Sequence, residues 1–158
     1  MRALIVSGVV ALFVSIPLPA AKTLDIYVID VEGGKSVLLV SPAGESMLID
    51  AGWPREDARD TNRILDVIKL AKVKRIDYLV VTHYDTDHAG NVPSVADKVP
   101  VRNFVDHGVL GGGGKANEGH FRDYTDFLAK HPDAKRITVK PGESKALTYR
   151  YERYVPSR

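Results

Sequence analysis

Asp77-Tyr78-Leu79-Val80-Val81 runs directly into Thr82-His83-Tyr84-Asp85-Thr86-Asp87-His88 and then Ala89-Gly90-Asn91. The first five residues are short, largely apolar and bounded by polar sequence, which reads as a buried strand. The strand delivers Thr82 and His83 to its C-terminal end. Four side chains of metal-ligand type, His83, Asp85, Asp87 and His88, then fall within six consecutive positions. In an extended stretch alternate side chains share a face. His83, Asp85 and Asp87 can therefore converge, and His88 can fold in where the loop turns into a helix. Imidazole suits zinc, iron and nickel, and carboxylates widen the choice toward manganese. Two carboxylates held together near a buried strand end repel each other, and a divalent cation relieves that cost. The competing reading is a polar loop whose carboxylates pair with the histidines or cap the next helix. Four donors at this spacing favour the metal.

Working outward, Leu24 to Val31, Ser36 to Ser41 and Ser46 to Asp50 are β-rich runs separated by Glu32-Gly33-Gly34-Lys35 and Pro42-Ala43-Gly44-Glu45. Such close neighbours predict an antiparallel meander, and their apolar character predicts burial on both faces. Asp60 or Thr61 can cap a helix running to about Lys72. Ile64, Ile68 and Ala71, with Leu65 beside them, form one apolar face of it. Beyond the motif, Pro93 suits the first turn of a short helix to about Lys98. Val101 to Asp106 reads as a strand, and Glu118 to His131 as a helix with Phe121, Tyr124 and Leu128 on one face. Arg136 to Val139 and Ala146 to Tyr151 read as strands around Pro141-Gly142. Three strands followed by alternating helices and strands predict an α/β layered fold rather than a sandwich of strands alone.

The resemblance becomes specific at the motif. His83 to His88 resembles the metal-binding loop of the metallo-β-lactamase-fold metallo-hydrolases, usually written HxHxDH. Here it reads HxDxDH, with Asp85 in place of the second histidine. That variant is similar to the hydrolase domain of bacterial competence DNA-uptake proteins. Leu48-Ile49-Asp50-Ala51-Gly52 resembles the family's aspartate after a strand, which supports the metal loop. The similarity runs from about Leu24 to Leu147. It implies the first half of an αββα sandwich, a mixed sheet with helices packed on it. By position, His83 and Asp85 would bind a first metal. Asp87 and His88 would bind a second, or Asp87, the catalytic candidate, would orient the attacking water at a single metal. One or two divalent ions are implied, zinc first, with manganese or iron as alternatives. The family's further ligands come from later strands. His107, ending a predicted strand, is the candidate here; His120 and His131 are weaker ones, since His131 suits a surface position compensating a helix dipole. Lys140-Pro141-Gly142-Glu143 resembles the turn that opens the family's second half, so the expected domain, residues 22–158, reads as incomplete at its C-terminus.

The remaining features bound the function. Met1-Arg2, the apolar run from Ala3 to Ile16 and the small residues Ala20-Ala21 have the layout of a signal peptide over residues 1–21, shorter than a membrane span. This predicts a periplasmic or secreted protein without stable membrane insertion after cleavage. The chain holds no cysteine, so a metal site uses only histidine and carboxylate. The formal charge of +2 is no electrostatic footprint for nucleic acid. Lys69, Lys72, Lys74 and Arg75 read as a solvated helix end rather than a binding patch. The expected activity is metal-dependent hydrolysis, by a metal-bound hydroxide, of an ester, amide or phosphodiester bond in a small-molecule or phosphodiester substrate. The contrasting expectation is a truncated, non-catalytic remnant that binds metal weakly or acts only as a homo-oligomer with its exposed sheet covered.

Overall fold

The structure is a computed structural model that describes residues 23–108, 115–133 and 135–143. The expected signal peptide, the Gly111-Gly112-Gly113-Gly114 loop and the expected strand Ala146 to Tyr151 lie outside the described residues. Strands β1 (Asp25–Val28), β2 (Val37–Val40) and β3 (Ser46–Ile49) form the expected antiparallel meander. Helix α1 (Arg59–Leu70) leads into β4 (Ile76–Val80), which lies parallel to β3. Two short helices, α2 (Thr86–Ala89) and α3 (Val92–Ala96), lead to β5 (Val101–Asp106). Helix α4 (Lys115–Ala129) then leads to β6 (Lys135–Thr138). The strand order is β1-β2-β3-β4-β5-β6, with β4, β5 and β6 mutually parallel in sequence order.

This order decides where the core lies. Crossovers between parallel strands are right-handed, and when each new strand adds on the same side, every crossover helix falls on one face. The paired row Tyr27, Leu38, Leu48, Leu79 and Phe104 points to that face. There it meets Ile64 and Ile68 of α1, Val92 and Val95 of α3, and Tyr124 and Phe127 of α4. Ile64, Leu38, Leu48, Leu79, Val92 and Val95 are fully buried.

The other face corrects the expectation that the meander is buried on both sides. Leu24, Ile26 and Val28 are 51%, 60% and 82% exposed. They share a face with Val37, Leu39, Met47 and Ile49 of the neighbouring strands. Hydrophobic character showed that these strands belong to a sheet; the one-sided placement of the helices left part of it uncovered.

The start of α1 is a second correction. Neither Asp60 nor Thr61 is the cap. Ala58, in the left-handed region at φ 52°, occupies that position without a side-chain hydrogen bond. Asp60 lies one residue inside the helix, where its carboxylate accepts the Trp53 N–H at 2.9 Å and the Arg59 guanidinium. Thr61 donates to Asn91 Oδ1 at 2.9 Å. Both side chains therefore tie the helix to loops beside the motif rather than closing its own first turn. The helix α4 face expected from Phe121, Tyr124 and Leu128 forms, with Phe127 added to the core.

Asp106, at the end of β5, is a buried hub that its position in an apolar strand did not announce. Its carboxylate receives Arg136 Nε and Nη2 at 2.8 and 2.9 Å, the Gly108 N–H at 2.8 Å, and the hydroxyls of Tyr124 and Tyr84 at 3.3 and 3.4 Å. Burial pushes its pKa up, but Arg136 and the Gly108 N–H outweigh burial and hold it below the usual carboxylate range. Both tyrosine hydroxyls are pushed up, first by burial and then by the Asp106 charge. A depressed carboxylate contributes stability above its unfolded pKa of about 3.9, and that contribution fades as pH falls through the lower folded value. Arg136→Met should therefore cost about 2–3 kcal/mol at pH 7, less than a fully buried pair because Arg136 is 35% exposed. Urea denaturation should show the difference from the parent shrinking as pH falls below the unfolded value of about 3.9 and disappearing through the lower folded value of Asp106. A difference independent of pH would show that the ion pair is not its source.

Candidate metal centre

The chain after β4 forms the motif loop, and Asp85 precedes α2 in extended conformation, with φ −62° and ψ 148°. His83 and Asp85 face outward with side chains 43% and 53% exposed, while Tyr84 between them turns into the core and is 6% exposed. This is the alternation expected of an extended stretch. Asp87 and His88, on α2, are more enclosed.

Both imidazoles are held from behind. His88 Nδ1 lies 2.9 Å from Asp50 Oδ2, and His83 Nδ1 lies 3.2 Å from Thr82 Oγ1. Each ring thus presents Nε2 to the mouth. His88 Nε2 lies 3.5 Å from Asp87 Oδ2, and His83 Nε2 lies 3.6 Å from Asp85 Oδ2. The two ring centroids are 3.8 Å apart. These nitrogen–oxygen separations are too long for good hydrogen bonds. They are close to the roughly 3.4 Å between two ligands of one tetrahedral ion with bonds of about 2.0–2.1 Å. The donor chemistry therefore fits a divalent cation, as two His–Asp pairs. Among the described residues no three His, Cys, Asp or Glu side chains stand together as a finished ligand shell.

Asp50 is the support. It is fully buried at the end of β3, and it adopts φ 58°, a left-handed conformation that a non-glycine residue rarely takes. Its carboxylate accepts the Thr82 N–H at 2.8 Å, the Thr82 hydroxyl at 2.7 Å and His88 Nδ1–H. The His88 tautomer follows from this arrangement, because a carboxylate can only accept. Further bonds fix the same loop. Ala51 N–H donates to His88 O at 2.8 Å, and Asn91 Nδ2 donates to Ala51 O at 3.0 Å.

The β1–β2 connection closes the arrangement from the other side. Lys35 N–H donates to Asp87 O at 3.2 Å, and Gly52 N–H donates to Lys35 O at 3.1 Å. Gly34 is forced by this approach, since a Cβ there would lie 2.4 Å from Asp87 O. The Gly-Gly pair in the sequence was the signal, although by itself it announced only a turn.

The other histidines lie elsewhere. His107 follows β5 and packs beside Tyr84, with ring centroids 5.0 Å apart. That is the core side of the motif, and both of its ring nitrogens are buried without a hydrogen-bond partner among the described residues. His120 lies in α4, with Nε2 3.4 Å from Thr86 Oγ1. It lines a cavity of about 250 Å³ behind α2 together with Pro54, Pro93 and Tyr124. His131 sits past the end of α4, where Nδ1 lies 2.9 Å from Phe127 O, a terminal helix carbonyl.

The family model described as the metallo-beta-lactamase superfamily matches residues 29–147. The chain belongs to the metallo-beta-lactamase superfamily. Its six-stranded mixed sheet with helices packed on it is the first half of that fold. No curated protein matches significantly. Among solved structures, a metallo-beta-lactamase of Cronobacter sakazakii carrying a mutated HARLDQ motif shares 26% identity, with TM-score 0.42, over 58% of this chain and 32% of its own. The metallo-beta-lactamase of the same organism described by its HARLDQ motif shares 26% identity, with TM-score 0.39, over 61% of this chain and 34% of its own. The chain spans about a third of the length of these solved structures. Members of the superfamily bind divalent metals, usually zinc. Among the described residues, no helix is long and apolar enough to cross a membrane.

Proposed function

We propose that this superfamily member is an exported, metal-dependent hydrolase acting on an ester, amide or phosphodiester bond. The observation that carries it is the pair of imidazoles anchored through Nδ1, each with Nε2 beside a carboxylate at ligand spacing. His83 and Asp85 would hold one divalent ion. Asp87 and His88 would hold a second, or Asp87 would accept a proton from the attacking water. When bound, such a cation lowers the pKa of water to about 7 and polarises the substrate oxygen. Zinc suits the two imidazoles best, with manganese or iron as alternatives given the carboxylates. Asp50 keeps His88 Nε2 free of its proton, and Thr82 orients His83. His107 is a further ligand candidate through its unpartnered nitrogens. The signal-like residues 1–21 support a periplasmic or secreted location.

A second reading, a chain that binds metal weakly without turnover, draws on the lack of a three-donor cluster among the described residues. Metal analysis after dialysis separates the two. One or two tightly retained ions per chain, with hydrolysis of a generic ester or phosphodiester, are expected of the enzyme. A metal-free chain with no turnover when zinc, manganese or iron is supplied would sink the proposal.

A further inference from the structure

Hydrogen bonds close a clasp between the chain after β3 and the end of the motif. His88 Nδ1 meets Asp50 Oδ2 at 2.9 Å, and His88 O accepts the Ala51 N–H at 2.8 Å. Further along, Asn91 engages both carbonyls that follow Asp50. Its Nδ2 donates to Ala51 O at 3.0 Å, and its backbone N–H donates to Gly52 O at 3.3 Å. Gly90 lets the chain pass this closely, since a Cβ there would lie 2.5 Å from Thr86 O and 2.8 Å from Pro54 Cδ. Asp50, Ala51 and Asn91 are all buried.

The Asn91 amide has one orientation. Ala51 O can only accept, so Nδ2 must face it, and Oδ1 then faces Thr61. The Thr61 hydroxyl donates to Oδ1 at 2.9 Å and so fixes the amide from helix α1. The clasp holds an unfavourable conformation. Asp50 at φ 58° and Gly52 at φ 70° flank Ala51. A left-handed residue other than glycine persists only where its surroundings over-determine it. The Asp50 N–H is tied to Val80 O at 2.8 Å, so relaxation has to come from the side of Ala51 and Gly52, which Asn91 grips. Turning that side away from Asn91 would let Asp50 relax and carry its carboxylate off the imidazole.

We propose that Asn91 is a positioning residue that holds the Asp50 carboxylate against His88 Nδ1, and thereby keeps the His88 ring proton on Nδ1 and the Nε2 lone pair free. The inference deepens the hydrolase reading and rests on it only for the use made of that lone pair.

The test is nitrogen-15 NMR of His88 in the metal-free full chain, followed by zinc competition. Asn91→Leu keeps the branching of the side chain and removes its donor. Thr61→Val leaves Asn91 in place and removes only the hydroxyl that orients it, and Thr61→Ser restores that hydroxyl. Phe127→Leu disturbs the core on α4 and touches none of these bonds. The parent ring should be a single Nδ1–H tautomer. Asn91→Leu should mix in the Nε2–H form and weaken zinc binding by roughly tenfold or more, the scale for groups behind a ligating histidine. Thr61→Val should act in the same direction and less strongly, while Thr61→Ser and Phe127→Leu should match the parent. Parental His88 shifts in Asn91→Leu, or an equal change in Phe127→Leu, would overturn the assignment. If Asn91→Leu does not fold, the Thr61 variants decide: a change in Thr61→Val that is absent from Thr61→Ser keeps the assignment, and parental shifts in Thr61→Val remove it. A parent chain that binds no zinc removes the hydrolase reading, and the metal-free spectra still decide the role of Asn91.

Discussion

Asp87→Ala is expected to abolish metal-dependent hydrolysis, lowering kcat by roughly 10²–10⁴-fold, the range for losing a positioned proton-transfer group. Asp87 combines three features that its neighbours lack together. Its carboxylate stands 3.5 Å from His88 Nε2, its side chain is only 24% exposed, and its backbone carbonyl is the anchor for Lys35 N–H. The first two place a carboxylate at the mouth with restricted access to water. The third survives truncation, because the alanine variant keeps the backbone bond, so the fold should persist. Circular dichroism and urea denaturation should be nearly unchanged while turnover disappears. A variant that retains parental kcat with its metal bound would refute the role given to Asp87, whether as ligand or as proton acceptor.

Asp50→Asn is expected to weaken metal affinity by about 10–100-fold, the usual effect of losing a carboxylate behind a ligating histidine. The argument is one of proton counting. The native carboxylate accepts from the Thr82 N–H, the Thr82 hydroxyl and His88 Nδ1–H. An asparagine keeps one acceptor oxygen and turns an NH₂ donor toward the remaining partners. If the oxygen stays with the Thr82 N–H, the amide faces His88 Nδ1 and favours the ring with its proton on Nε2. That tautomer removes the lone pair a metal needs. Nitrogen-15 NMR of His88 should report the switch directly, and zinc competition should report the lost affinity. The fold should lose about 1–3 kcal/mol, because the amide NH₂ replaces an oxygen that accepted from both the Thr82 hydroxyl and His88 Nδ1–H. Parental zinc affinity with the His88 tautomer unchanged would show that Asp50 only holds the loop.

These two residues were legible in the sequence to different degrees. Asp87 stands inside a run of four metal-type donors, so local spacing exposes it. Asp50 stands 38 residues from His88, at the end of another strand. Its role was readable only through a resemblance, because nothing in Leu48-Ile49-Asp50 says which histidine it will meet. Lys35 was part of a turn and carried no signal at all. Its position depends on how the β1–β2 connection settles on α2, a contact between segments 52 residues apart in the chain. His107, a ligand candidate because it ends a strand, packs its ring against Tyr84 with centroids 5.0 Å apart, a contact the strand alone does not announce.

By itself, the sequence determined whatever depends on short-range periodicity and on residue chemistry. It marked the meander, the apolar face of α1 at Ile64 and Ile68, the strand read over Asp77–Val81 and found over Ile76–Val80, and the four donors that follow. Backbone hydrogen bonding and side-chain alternation are local, so a run of residues is enough to reveal them. Tertiary structure alone decided which faces are covered and which groups become partners. Crossovers of one hand placed the described helices on one side of the sheet, burying Leu38, Leu48 and Leu79 while leaving Ile26 and Val28 exposed. The same packing brought Asp50 beneath His88, Arg136 onto Asp106, and the Lys35 backbone against Asp87. Such pairings rest on the meeting of segments distant in sequence, which no single stretch encodes.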